Sequence, residues 1–166
     1  MNREIKGTAF KFGDNINTDI ISPPQYMELS VEEASVHAME AVDPTFSQRF
    51  QTGDIIVAGS NFGSGSSRET SPLALRHLGT GAIVANYFAR IFYRNCINIG
   101  LPLFECPETD KIDSEDVLRI DTANGIIYNE TKGEQYQCSK IPDHIMSLIE
   151  DGGLVKRLEK MFGKES

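Results

Sequence analysis

The sequence is short of positive charge. Its 166 residues carry 16 Lys and Arg against 24 Asp and Glu, a formal charge of −8, which would repel a nucleic-acid backbone or an anionic lipid surface unless a strong local patch intervened. No such patch is found. The C-terminal Lys156, Arg157 and Lys160 alternate with Leu158 and Met161 at helical spacing and read as the wet side of an ordinary terminal helix. The chain also lacks any run of about 18 apolar residues, and between Met1 and Lys6 it lacks the apolar stretch of a secretion signal. A cytoplasmic protein without membrane contact is expected. Cysteine is scarce: Cys96, Cys106 and Cys138 are odd in number and separated by nine and thirty-one residues. That argues against a disulfide framework and against the grouped thiolates of an iron–sulfur site, so each is read as structural. His37, His77 and His144 are equally scattered and are expected to pack or face water rather than bind a metal. No internal repeat, low-complexity tract or convincing linker divides the chain, and its length suits one domain over residues 1–166.

What is present suits a packed α/β domain. Hydrophobic residues make up 40% and charged residues 24%, the usual globular balance. Residues 7–13 alternate as a half-buried strand. Ser30 and Glu33 form a capping-box pattern ahead of a helix predicted over about 31–42. Asp54–Ala58 and Gly81–Ala85 are continuous apolar runs of strand length. Between them a helix is predicted with Ser71 or Thr70 as its cap, Pro72 in its first turn and Gly79 at its end. Residues 87–95 place Phe88, Ile91 and Phe92 on one side of a further helix. Leu101–Phe104 adds a strand, residues 117–138 read as β-rich with turns at 123–125 and 132–133, and a terminal helical region opens at Pro142 and is broken by Gly152 and Gly153.

The informative segment is Gly59-Ser-Asn-Phe-Gly-Ser-Gly-Ser-Ser-Arg-Glu69, between a predicted buried strand and a predicted helix. Glycines let the backbone approach a ligand closely, and amides near a helix N-terminus attract anions. Arg68 can grip a carboxylate with two parallel hydrogen bonds. The phosphate-binding loop of nucleotide enzymes is excluded, because no lysine follows Gly65. The dinucleotide fingerprint fails at Arg68, and the hydrolase nucleophile elbow fails because neither Ser64 nor Ser66 has glycines two residues away on both sides. From spacing alone, an anion cradle and a tight structural connection with an Arg68–Glu69 surface ion pair both remain open.

The segment Asn61-Phe-Gly-Ser-Gly-Ser-Ser-Arg-Glu69, followed by Leu73-Ala-Leu75, Gly81–Ala85, Phe88–Phe92, Arg94-Asn95 and Gly100–Leu103, resembles the small subunits of 3-isopropylmalate dehydratase and the C-terminal swivelling domain of aconitases. Gly13–Ile20 extends the resemblance to roughly residues 7–106. It implies a single aconitase-type swivelling β/β/α domain, within the α/β class. It also implies a hydro-lyase that moves a hydroxyl between neighbouring carbons of a hydroxy dicarboxylate, as in leucine biosynthesis. The family places a [4Fe-4S] cluster on a separate large subunit, where it would activate the departing hydroxyl, so no cofactor is expected in this chain and no activity without that partner. Carried over by position, Ser66 would take the proton from the carbon acid, Ser67 would assist by hydrogen bonding and Arg68 would bind a substrate carboxylate.

The stretch Ser22–Leu29 resembles the family's loop against the variable group of the substrate, so Tyr26, Met27, Glu28 and Leu29 are candidate substrate-binding residues. Relatives that act on tricarboxylates tend to have an arginine near this point. Here no arginine lies between Arg3 and Arg49, and Glu28 would repel another carboxylate. An apolar substituent is therefore expected, with Glu28 either facing the substrate or facing solvent. A dimethylmalate, homoaconitate or aconitate enzyme remains an alternative, as does a non-catalytic anion-binding regulatory module. Self-association of the isolated chain is open. Two departures from the family pattern, Ser64 and Thr70, sit beside the site, and Arg94 is expected in a structural ion pair.

Overall fold

The structure, a computed structural model, describes residues 4–65 and 70–162. Seven strands form one mixed sheet: β1 (Glu4–Lys11), β2 (Ile55–Val57), β3 (Ala82–Ala85), β4 (Leu103–Glu105), β5 (Val117–Asp121), β6 (Ile126–Asn129) and β7 (Glu134–Gln137), in the order β4-β3-β2-β1-β5-β6-β7. The four strands β1 to β4 are parallel, with Ala9 opposite Ile55, Ile55 opposite Ala82 and Ile83 opposite Leu103. On its other edge β1 runs antiparallel to β5, pairing Glu4 with Asp121, and β6 and β7 continue as a meander.

The helices are α1 (Thr18–Ile21), α2 (Val31–Ser35), α3 (Phe46–Arg49), α4 (Thr70–His77), α5 (Arg90–Asn98), α6 (Asp143–Glu150) and α7 (Leu154–Phe162). Parallel strands covered on both faces read as unbroken apolar runs, and these do. Ile56, Ala58, Ile83 and Ala85 face one core with Phe10, Phe12, Phe46, Phe62, Leu75 and Phe92. Ile55, Val57, Ala82 and Val84 face the other with Leu118, Ile120, Ile127, Met146 and Ile149. At roughly 1.5–3 kcal/mol for each fully buried aliphatic side chain, these two layers dominate the fold's stabilisation.

Several sequence expectations are corrected. The helix predicted over 31–42 stops at Ser35. Its capping box is present, with Ser30 Oγ accepting from the Glu33 amide and Glu33 Oε1 accepting from the Ser30 amide, but the chain then turns to bury Met39 completely at a φ of +61°. Neither Thr70 nor Ser71 caps α4. Both lie within it, and the buried Ser71 hydroxyl donates to the Thr18 carbonyl at 3.2 Å. β1 starts earlier than predicted, because residues 4–8 find partners on β5. Ile91 is exposed while Phe88 and Phe92 are buried, and on α7 Leu158 and Met161 are exposed, with no residue of that helix buried. Among the described residues no helix is long and apolar enough to cross a membrane.

Candidate active site

In an open parallel sheet, ligands gather at the carboxyl ends of the strands, because the loops that leave there diverge and open a crevice. Two such loops, after β1 and after β2, run side by side. The Gly59 amide donates to the Gly13 carbonyl at 3.1 Å, Asn15 to Ser60 at 2.8 Å, Gly63 to Ile16 at 2.7 Å and Thr18 to Ser64 at 2.8 Å. Asp14 Oδ1 adds an acceptor for the Ser60 amide at 2.8 Å. This lacing needs glycine where the strands come closest. A Cβ on Gly63 would lie 2.2 Å from the Phe92 ring, and one on Gly65, whose φ is +115°, would lie 2.8 Å from Thr18 Oγ1. The loop after β3 joins the array: Phe62 and Phe88 form an isolated parallel bridge, and the Ala89 amide donates to the Phe62 carbonyl at 2.9 Å.

Ser66, Ser67, Arg68 and Glu69 lie outside the described residues. Their flanks do not. Gly65 lies against Thr18, and Thr70 lines a small cavity with Ser22, Pro23, Tyr26, Met27, Leu29, Val31, Ala34 and Ala74. The fold thus brings Tyr26, Met27 and Leu29 beside the residue that follows the Gly-Ser-Ser-Arg-Glu segment. Glu28 is exposed and is not among the residues that line this cavity. The cavity is about 30 Å³, on a measure by which one water needs roughly 10–15 Å³, so it suits a small alkyl group.

Ser22 opens the stretch likened to the family's substrate loop but was not singled out as a candidate. Its hydroxyl is buried and has no hydrogen-bond partner among the described residues, and it lines this cavity. Arg94 makes no ion pair among the described residues. It lines a separate surface cavity with Arg90, Tyr93 and Ile145, against the expectation of a structural pair.

The described residues contain no group of three or more His, Cys, Asp or Glu placed to hold a metal ion. Cys96 and Cys106 are buried and Cys138 half-buried, all as free thiols. Burial raises each of their pKa values, that of Cys96 strongly and that of Cys138 to about 12. Such thiols stay protonated near neutral pH.

The family model of the aconitase C-terminal domain matches residues 4–108, the span that carries the parallel strands and the laced loops. The chain belongs to that family. It is 46% identical over 161 residues to the 3-isopropylmalate dehydratase small subunit of Methanosarcina mazei, covering 96% of this chain and 99% of that one. It is 49% identical over 159 residues to the subunit of the same name from Nautilia profundicola, covering 95% and 96%. The crystal structure of 3-isopropylmalate dehydratase from Methanocaldococcus jannaschii superposes with a TM-score of 0.90 at 38% identity, over 99% of this chain and 100% of that one. Aconitase X of Thermococcus kodakaraensis, at 14% identity and a TM-score of 0.53 over 83% of this chain and 92% of that one, shares the fold.

Proposed function

We propose that this chain is the small subunit of a 3-isopropylmalate dehydratase, a heteromeric hydro-lyase of leucine biosynthesis that works in the cytoplasm with a cluster-bearing large subunit. Residues 1–166 act as one swivelling domain that carries the proton-transfer half of the reaction. The observation that carries this reading is the apolar cavity of Tyr26, Met27 and Leu29 beside Thr70, in a chain 46% identical to a subunit of that name.

Ser66 takes the proton from the carbon acid. A serine hydroxyl is far too weak an acid to do so unaided, so its oxyanion needs donors that are in place before the reaction. Backbone amides of the glycine turn, the positive end of α4 and the Arg68 guanidinium supply them, as an oxyanion hole does. Ser67 adds a hydrogen bond, and Arg68 holds a substrate carboxylate through two parallel bonds. Met27 and Leu29, with the Tyr26 ring, meet the alkyl substituent. Glu28 stands outside the cavity, where its charge disfavours a further carboxylate. The cluster on the large subunit, when bound, supplies the Lewis acid for the departing hydroxyl, and no residue described here is assigned to it.

The test is the complex assembled with its large subunit under anaerobic conditions and assayed on isopropylmaleate, aconitate, homoaconitate, citraconate and dimethylmaleate. Turnover appears only in the pair and is fastest on isopropylmaleate. Ser66→Ala lowers kcat by about 10²–10⁴-fold, the usual range for a lost general base. Arg68→Lys raises KM by about 10- to 100-fold, as expected for a lost charge-assisted hydrogen bond. Unchanged turnover in Ser66→Ala removes the proposed base.

A further inference from the structure

The turn that follows α2 holds two titratable side chains that the proposed chemistry does not use, and both are engaged with Tyr26. The Tyr26 hydroxyl donates to Glu40 Oε1 at 2.6 Å. The other Glu40 oxygen shares a 2.9 Å hydrogen bond with His37 Nδ1. The His37 ring lies flat on the Tyr26 ring, with 3.6 Å between centroids and 6° between planes. The three contacts close on one another: the carboxylate ties both rings, and the rings tie each other. Glu40 is held below the usual carboxylate range, first by the Tyr26 hydroxyl and then by His37, so near neutral pH it is an ionised acceptor.

This triangle links the core to the cavity wall. Between His37 and Glu40 sits Met39, fully buried, whose amide donates to the Ile21 carbonyl at 3.2 Å. On the other side, Tyr26 begins the stretch that carries Met27 and Leu29. Those two are 57% and 41% exposed, so packing alone holds them weakly, and among the described residues their amides bond only within the turn, to Pro24 and Tyr26 at 3.1 Å each. The clamp on Tyr26 is therefore what fixes them to the core.

We infer that His37 and Glu40 are positioning residues which, through Tyr26, fix the wall formed by Met27 and Leu29 and thereby select the alkyl substituent of the substrate. This inference rests on the function proposed above.

The test has two arms. In the assembled enzyme, Glu40→Ala raises KM for the isopropyl substrate about tenfold, the worth of roughly one good hydrogen bond, leaves kcat within about twofold, and narrows the preference for isopropyl over methyl-substituted substrates. Glu40→Gln, whose amide oxygen still accepts from Tyr26, restores most of the loss. Glu40→Leu, which removes the acceptor for the Tyr26 hydroxyl but fills similar space, supplies the same reading if Glu40→Ala does not fold. In the isolated full-length chain, amide hydrogen exchange at Met27 and Leu29 is about tenfold faster in Glu40→Ala than in the parent. Unchanged exchange overturns the clamp whatever the activity. Faster exchange with unchanged KM and substrate preference overturns the role in selection, as does a fall in kcat alone. A parent complex inactive on every malate overturns the functional reading and with it the role in selection, while the exchange arm still decides the clamp.

Discussion

Replacing Gly65 by alanine separates stability from catalysis at the proposed site. Gly65 has a φ of +115°, and an added Cβ would lie 2.8 Å from Thr18 Oγ1. A side chain at such a φ costs about 1–3 kcal/mol. The contact adds less, because Gly65 is exposed and its φ and ψ can rotate to relieve it. The sum is well below the ~5–15 kcal/mol of a typical domain, so the variant folds. At about 2–4 °C per kcal/mol for a chain of this size, its thermal midpoint falls by roughly 2–12 °C. The relief is what matters for function. Rotating Gly65 re-aims the residue that follows it, the proposed base Ser66, and a displacement of about 1 Å costs on the order of 100-fold in rate. Calorimetry measures the first effect, and turnover of the anaerobically assembled complex the second. Gly133→Ala is the control: its φ is +69° and an added Cβ meets nothing within 4 Å, so it carries strain without displacement near the site. A Gly65→Ala complex with kcat within threefold of the parent would refute the reasoning, as would an equal loss in Gly133→Ala.

Two further outcomes are expected. Because burial raises the pKa of all three thiols, that of Cys138 to about 12, iodoacetamide at pH 8 should leave the folded chain unlabelled for hours and modify all three cysteines in denaturant; rapid labelling of any one in the native state contradicts this. Asp116 is buried, which pushes its carboxyl up, but the Asp113 amide at 2.9 Å, the Asn129 side-chain amide at 2.8 Å and Lys132 at 3.4 Å outweigh burial and hold it below the usual range. A carboxyl with a lowered native pKa stabilises the fold above the ordinary aspartate value of about 3.9 and loses that contribution as pH falls through its depressed value. The thermal midpoint should drop on acidification below about pH 4, and less steeply in Asp116→Asn; parallel curves for parent and variant would exclude the assignment.

Elements whose signal is local were legible in the sequence. The apolar runs at 54–58 and 81–85 need no context to read as buried strands, and the turns at 123–125 and 132–133 announce the meander. What failed was decided by tertiary contacts. The helix predicted from Ser30 ends early because burying Met39 outweighs continued helical bonding. Ser71 looks like a cap, yet spends its hydroxyl on Thr18, fifty-three residues away. At the candidate site, the glycine segment and the Tyr26–Leu29 loop were each visible as motifs, but neither motif encodes that Thr70 and Met27 share a cavity. Burial of the Ser22 hydroxyl depends on tertiary packing that its loop does not encode, and His37 and Glu40 were invisible as partners of Tyr26 because they reach it from a turn that periodicity reads as helix.

The first strand belongs to both halves of the sheet, and this constrains how the chain can be made. β1 pairs Ala9 with Ile55 on one edge and Glu4 with Asp121 on the other, so this strand is completed only when residues more than a hundred positions later have arrived. Such distant closure is slow, and a nascent chain halted before residue 117 would present an open backbone edge to its neighbours. Truncation products ending before β5 should therefore aggregate on the ribosome or soon after release, whereas shortening the hairpin tip near Gly133 leaves that ordering untouched.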